Sequence, residues 1–446
     1  MKNLKKQLLS LVCLLGLFST INAQYTEVIN SKGLTKNLKK DYGLVDDNAK
    51  TNQSEKIQKA IDEVSEAGGG QIILPKGTYK FGGVYFKSNV HLLVEANTVI
   101  KPHWPKGEKA VVFIMDVEPL KGKNKSNAND RDFIENVSIR GIEGSYIIDY
   151  SDRIPMKGEG CRGILTKMVK NFLIADLDVK DNFTTYCGIT LTPTRSKTKD
   201  VGNWEVSRST NGTIKNCRIF NGSPGYGLVQ LHGAQNVYFE NLYANGGVTL
   251  RLETGAVGEH TGVFNITAKN IVNENGRCAV MLGPHSAQNG VVKIDGVKSI
   301  GSTFAVQIGM GGVKKKELQR NPDAKPGSFA KGTSIKNIHA IFGMKAQVKK
   351  HALLAVPEAY YADLKLWNDN KFFDGPSIAP VVNELNGEYS VVIENVTSEG
   401  FKYYGGKKIV SKKDFRKGKW PVEFQKWKKS QESKNWRVNK GPVVKE

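Results

Sequence analysis

The sequence predicts an all-β solenoid. Three observations carry that prediction: a phrase that recurs about every two dozen residues, apolar pairs that align between its copies, and a helical segment placed to close one end. The recurring phrase is a short alternating apolar run, an Asn-bearing turn and a second apolar run. It reads Asn211 to Asn216 ahead of Cys217, Asn236 to Asn241, Asn265 to Asn270, Val292 to Gly296, Ser334 to Asn337 and Val391 to Asn395. With Ile214, Val237, Ile266 and Val292 taken as equivalent, the steps are 23, 29 and 26 residues, the length of one coil of a parallel β-helix. Residues one coil apart then stack at about 4.8 Å, so side chains distant in sequence form ladders on one face.

At the start of the chain, Lys2, Lys5 and Lys6 precede the apolar stretch Leu8 to Phe18 and the small-residue ending Ile21-Asn22-Ala23. That stretch is too short to cross a bilayer, and no later run approaches about 20 apolar residues. Residues 1–23 are therefore expected to be a cleaved secretory signal, the mature chain to be extracellular, and no membrane to be its partner. Next, Ile57, Ala60, Ile61 and Val64 show helical spacing within Gln53 to Glu66, and the pattern stops at Gly68-Gly69-Gly70. An open solenoid end exposes core and unpaired strand edges, so this helix is expected to cap it. The helix, the triple glycine, the strand from Gln71 and the run Pro75-Lys76-Gly77-Thr78-Tyr79 together resemble the opening segment of pectin-degrading right-handed β-helices.

One β-helix domain is expected over residues 24–400, with loop insertions near 193–209, 311–332 and 342–388. Long loops on such a scaffold are where function concentrates. Residues 401–446 read as a basic, aromatic-rich cap or tail of the same domain. From Lys402 onward there are 15 Lys or Arg against 4 Asp or Glu. Taking the three leader lysines off the formal +22 leaves +19. In an exported chain that balance favours a polyanionic polysaccharide. The export signal and the lack of a nucleic-acid module argue against nucleic acid. Cys161, Cys187, Cys217 and Cys278 read as small buried hydrophobes, with Cys161 and Cys187 near enough in period to pair. No Cys-x-x-Cys or His cluster suggests a transition metal. No cofactor is required, and turn Asp and Asn residues are compatible with a structural calcium.

The chemistry follows from aligning the inward apolar pairs Ile189/Leu191, Val229/Leu231, Leu250/Leu252, Val280/Leu282 and Val306/Ile308. Side chains alternate along a strand, so Thr190, Gln230, Arg251, Met281 and Gln307 form one outward row. Thr192, His232, Glu253, Gly283 and Gly309 form the next, with Gly255 and His285 close by. An acid, two imidazoles, an amide and a guanidinium then meet on one face within about 10 Å, a set suited to cleaving a glycosidic bond. Gly283 and Gly309 leave room for a ligand.

Gly227 to Gln230, Thr249-Leu250-Arg251-Leu252-Glu253-Thr254 and Gly283-Pro284-His285, in that order, resemble the iota-carrageenases of glycoside hydrolase family 82. The architectural likeness covers most of the mature chain, and the specific motifs lie within residues 226–310. The resemblance implies inverting hydrolysis of the β-1,4 bonds of iota-carrageenan, a sulfated red-algal galactan. It implies Glu253 as general acid, with His285 and Gln230 as active-site partners. It also implies an open groove, because longer relatives carry an extra groove-covering domain where this chain has only Gly311 to Gly332. Arg251, His232, Gln307 and Thr192 are expected to bind substrate, with Arg251 on a sulfate and not paired to Glu253.

One position departs from the family pattern. The usual base is an Asp two residues after the acid, about 6.6 Å along the strand, a spacing that admits the attacking water. Here that residue is Gly255. His285, Glu259 and Glu317 remain as candidate bases. The rival readings are a polysaccharide lyase on uronate polymers, betrayed by ultraviolet-absorbing products, and a non-catalytic solenoid that binds sulfated glycan, favoured by Gly255. The Asn-Thr-Asp, Asp-Asp and Gly-His-Gly signatures of polygalacturonases do not occur on the groove coils.

Overall fold

The structure, a computed structural model, describes residues 24–117, 133–154, 158–193, 207–255, 262–357, 360, 363–366 and 372–415 of the 446. The expected signal at 1–23, most of the 193–209 loop, Glu259 and the tail beyond 415 lie outside the described residues.

Twenty-three strands join in one hydrogen-bonded system of parallel pairs, wound as a right-handed β-helix, the hand that β-crossover-β connections almost always take. Each coil contributes to three faces. On the first, Ile72, Leu92, Ile139, Ile174, Ile214, Phe239, Ala268, Ile294 and Ile335 stack inward from coil to coil. All nine are buried, each large one contributing about 1.5–3 kcal/mol of transfer free energy. This register corrects the spacing read from the sequence. Val237 pairs with Gly212, while Ile214 pairs with Phe239, so the Ile214 and Val237 marks are two residues out of step.

The turns at the two ends of the first-face strands explain the recurring asparagines. Asn211, Asn236 and Asn265, and likewise Asn216, Asn241 and Asn270, all sit at φ between 52° and 54°, a left-handed conformation that Asn tolerates better than most residues. Each amide also donates to the one on the coil before: Asn236 Nδ2 to Asn211 Oδ1 at 3.1 Å, Asn265 to Asn236 at 2.8 Å, Asn241 to Asn216 at 3.1 Å and Asn270 to Asn241 at 3.0 Å.

The expected cap is the helix Ser54–Glu66, whose Ile57, Ala60, Ile61 and Val64 are buried against the first coil. It stops because Gly69 turns to φ 106° and packs so closely that a Cβ there would lie 2.5 Å from Asn89 Cβ. Ahead of it, the strand Leu34–Asn37 pairs with Gly70–Leu74 and leads into the short helix Leu38–Tyr42, a prelude the sequence did not announce.

Two of the long loops have structure of their own. In the first, Lys315–Arg320 is a helical turn, and Ser328–Phe329 pairs with Gln288–Asn289. In the second, Ala346–Lys349, Lys365–Leu366 and Phe372–Gly375 form a three-stranded antiparallel sheet. Its buried Gln347 accepts from Gly247 N at 2.6 Å and donates to Gly222 O at 3.1 Å. Val348 and Phe373 join Val248, Cys278, Met281, Phe304 and Val382 in one apolar cluster. This insertion therefore covers part of the third face and walls the site described next. Cys161, Cys187, Cys217 and Cys278 are all buried free thiols.

Candidate active site

The third face has the register expected of it. Ile189, Val229, Leu250, Val280 and Val306 pair in succession, which aligns Thr190, Gln230, Arg251, Met281 and Gln307, and sets Glu253 opposite Gly283. His232 N donates to Leu191 O at 2.8 Å, which stacks His232 beside Thr192. Inward Leu250 and Leu252 are fully buried and fix the strand that carries Arg251 and Glu253.

Four side chains converge on Glu253. Gln230 Nε2 donates to Oε2 at 2.7 Å, and Arg251 Nη2 donates to Oε1 at 2.5 Å. His285 Nε2 lies 3.5 Å from Oε1, and His232 Nδ1 bonds the Glu253 carbonyl at 2.9 Å. That last contact puts the proton on Nδ1, since a carbonyl only accepts. His285 is held at φ 47°, a backbone conformation uncommon outside Gly and Asn and often found at functional sites. The loop 311–332 fixes it from behind, through Gly312 N and Gly327 N donating to His285 O at 2.6 and 2.7 Å.

Two expectations need correction. The outward row does not face open water: Gln230 is 3 % exposed, Arg251 7 % and Gln307 7 %, because the three-stranded insertion and neighbouring coils bury it as a groove floor. Arg251 does pair with Glu253. The two project from the same face of one strand, and Arg251 is further anchored by Nη1 to Gly225 O and by the Tyr226 ring 5.6 Å away. Its Nε is buried without a partner. Burial pushes the Glu253 carboxyl up, but the hydrogen bond from His285 and the charge of Arg251 outweigh it and hold the group well below the usual carboxylate range. His232 does not share in that pull: burial lowers it to about 4, so it is a neutral imidazole at neutral pH.

The glycines differ in kind. Gly255 stands at φ 69°, where a Cβ would lie 2.9 Å from Ser286 N, so the chain there is shaped against any side chain. A Cβ on Gly283 would meet only Leu252 O at 3.9 Å, and one on Gly309 only Leu282 O at 3.3 Å. The bareness of Gly283 is therefore not forced by packing, whereas a methyl on Gly309 would press on a backbone carbonyl, and neither glycine puts a side chain beside Glu253. Of the candidate bases, Glu317 is buried and accepts from Ser286 Oγ, which ties the loop helix to the His285 turn. His285 touches the acid itself, leaving no width for a water between them.

Several groove residues escaped the sequence reading. Arg162 Cζ lies 3.6 Å from the centre of the Tyr186 ring, and Tyr186 meets Tyr226 edge-on at 5.9 Å. With Arg251 on Tyr226 this makes a continuous arginine and tyrosine strip beside the acid. Arg162 Nε donates to Thr190 Oγ1 at 3.2 Å. Buried Arg277 donates to Gln307 Oε1 at 2.8 Å on the opposite side. These residues sit one or more positions outside the aligned apolar pairs, so strand alternation gave no signal for them. Among the described residues no group of three or more His, Cys, Asp or Glu could hold a metal ion.

Fold and site together define a parallel β-helix with one acidic centre on a walled, cation-rich face. No protein-family model matches the chain. An iota-carrageenase of Zobellia galactanivorans is 36% identical over 289 residues, covering 63% of this chain and 53% of that one. One of Alteromonas macleodii is 32% identical over 285 residues, covering 61% and 54%. The chain thus spans about half the length of the curated relatives it matches. Among solved structures, a galactohydrolase acting on 1,3-α-1,4-β-linked galactose-4-sulfate and 3,6-anhydrogalactose-2-sulfate superposes with a TM-score of 0.77 at 26% identity, covering 90% of this chain and 95% of that one. An iota-carrageenase complexed with iota-carrageenan fragments superposes at 0.75 with 24% identity, covering 88% and 93%. In sequence and in fold the chain is similar to iota-carrageenases.

Proposed function

We propose that this protein is an extracellular glycoside hydrolase that cleaves the β-1,4 linkages of iota-carrageenan with inversion, Glu253 acting as general acid. The observation that carries the reading is the convergence of Gln230, Arg251 and His285 on the Glu253 carboxylate, beside the bare Gly283 of the next coil. Homology to iota-carrageenases supports the substrate class, and the basic composition suits a sulfated chain.

The depressed Glu253 carboxyl fits this role only with an anionic ligand. In the free protein the acid is ionised near neutrality and cannot give a proton. A substrate sulfate beside Arg251 draws positive charge away from Glu253 and raises its affinity for a proton. Substrate binding thereby arms the acid, and the kcat profile extends to higher pH than the kcat/KM profile, which reports the free enzyme.

The test is release of reducing ends from iota-, kappa- and lambda-carrageenan and from pectate, with product anomeric configuration followed by NMR. Reducing ends from iota-carrageenan with inverted configuration are expected. Ultraviolet-absorbing unsaturated products would establish the lyase reading, and retardation on carrageenan without cleavage would establish the binding one.

A further inference from the structure

The site as described has an acid but no partner to activate water. The row that carries Glu253 supplies one. Gly283 pairs with Glu253, Gly309 N donates to Leu282 O at 2.8 Å, and Glu384 N donates to Ile308 O at 2.9 Å. The outward row therefore runs Glu253, Gly283, Gly309, Glu384, two carboxylates with two bare coils between them. In the other direction the same row is filled by His232 and Thr192 before the next carboxylate, Asp116, which is paired with Lys167 at 3.2 Å.

We propose that Glu384 is the general base of the reaction, an assignment that rests on the hydrolase reading above. Three coils separate the two Cα atoms by about 14 Å. A lean of about 3 Å from each side chain brings the carboxyls within the roughly 6.5–9.5 Å that admits a water in inverting glycosidases. The Glu384 side chain keeps 22% of its surface exposed, so a water can reach it, and it lies 3.9 Å from Lys412 Nζ. It lines the same cavity as Arg277 and Gln307. Open space over Gly283 and Gly309 is what a sugar ring held between the two groups needs.

In the step itself, Glu384 takes a proton from a water while the water oxygen bonds to the anomeric carbon. The bond from that carbon to the bridging oxygen breaks, its electron pair stays on the departing oxygen, and that oxygen takes the proton of Glu253. One water is consumed, Glu384 ends protonated and Glu253 ionised, and exchange with solvent resets both.

The experiment compares wild type, Glu384→Gln, Glu384→Ala and Glu253→Gln on iota-carrageenan, with thermal melting of each. Glu384→Gln should lose kcat by at least about 100-fold, with KM changed little and the melting midpoint kept. Azide, which needs no deprotonation, should restore turnover to Glu384→Ala and yield a glycosyl azide of configuration opposite to the bond cleaved. A folded Glu384→Gln within tenfold of wild type, or a folded Glu384→Ala that azide does not rescue, overturns the assignment. Should wild type itself release no reducing ends from any sulfated galactan, the hydrolase reading falls and the base with it. An active wild type beside an equally active Glu384→Gln sinks the base alone.

Discussion

The turns along the first face and the row along the third face of the same coils are built on opposite rules. At the turns successive coils repeat one residue: Asn211, Asn236 and Asn265 share a conformation and a hydrogen-bonded ladder. On the third face no coil repeats its neighbour, and Thr190, Gln230, Arg251, Met281 and Gln307 follow one another at equivalent places. Repetition marks a problem each coil must solve for itself, a left-handed turn with satisfied amides. Variation on an identical backbone marks a problem solved once, by several coils together. A solenoid thus separates scaffold from site by periodicity alone.

Four substitutions test that separation. The largest effect on stability is expected at His232, whose burial lowers it to about 4. A group depressed from a normal value near 6.5 contributes stability that is fully present above that pH and lost as the pH falls toward 4. Over that window about 3 kcal/mol should disappear. Denaturant titrations at pH 7 and pH 4 should show the loss in wild type and a much smaller one in His232→Asn. Next, Gly255→Asp restores the carboxylate that carrageenases usually carry at this place, yet should gain no activity. Its φ of 69° and the 2.9 Å approach of Ser286 N should instead cost about 1–3 kcal/mol, read as a lower melting midpoint. A gain in kcat there would return the base to residue 255.

Asn241→Ala removes one step of a turn ladder, which accepts from Asn270 at 3.0 Å and donates to Asn216 at 3.1 Å. About 1–2 kcal/mol of stability should be lost, from the left-handed conformation and the bonds together, with kcat and KM unchanged. The smallest effect on stability belongs to Gly283→Ala, because its new methyl meets only Leu252 O at 3.9 Å. There the melting midpoint should hold while KM rises a few-fold. Were Asn241→Ala to impair catalysis, or Gly283→Ala to leave KM untouched, the separation of scaffold from site would fail.

The third face was legible in the sequence because apolar pairs two residues apart, Val229 with Leu231 and Leu250 with Leu252, recur without interruption and lock the register of everything between them. The first face was misread by two residues at a single coil. Gly212 occupies the place that Val237 and Ile266 take on the next coils, because the Phe172 ring fills it: a Cβ there would lie 2.1 Å from Phe172 Cζ. The expected apolar mark is supplied by the coil before. The partners of Glu253 were foreseen as a group, but not its ion pair with Arg251, since reach along a strand depends on side-chain burial that periodicity does not report. Glu384 was hidden for a topological reason. The three-stranded insertion intervenes between Ile341 and Val381, so its strand follows Ile308 in space and not in sequence.

The most direct measurement is the turnover of iota-carrageenan by Glu253→Gln beside wild type, each shown folded by melting and each tested for binding to the polymer. With the carboxyl replaced by an amide of the same shape, the variant should keep its affinity and lose kcat by about 1,000-fold or more. A folded Glu253→Gln that releases reducing ends at the wild-type rate would contradict the account.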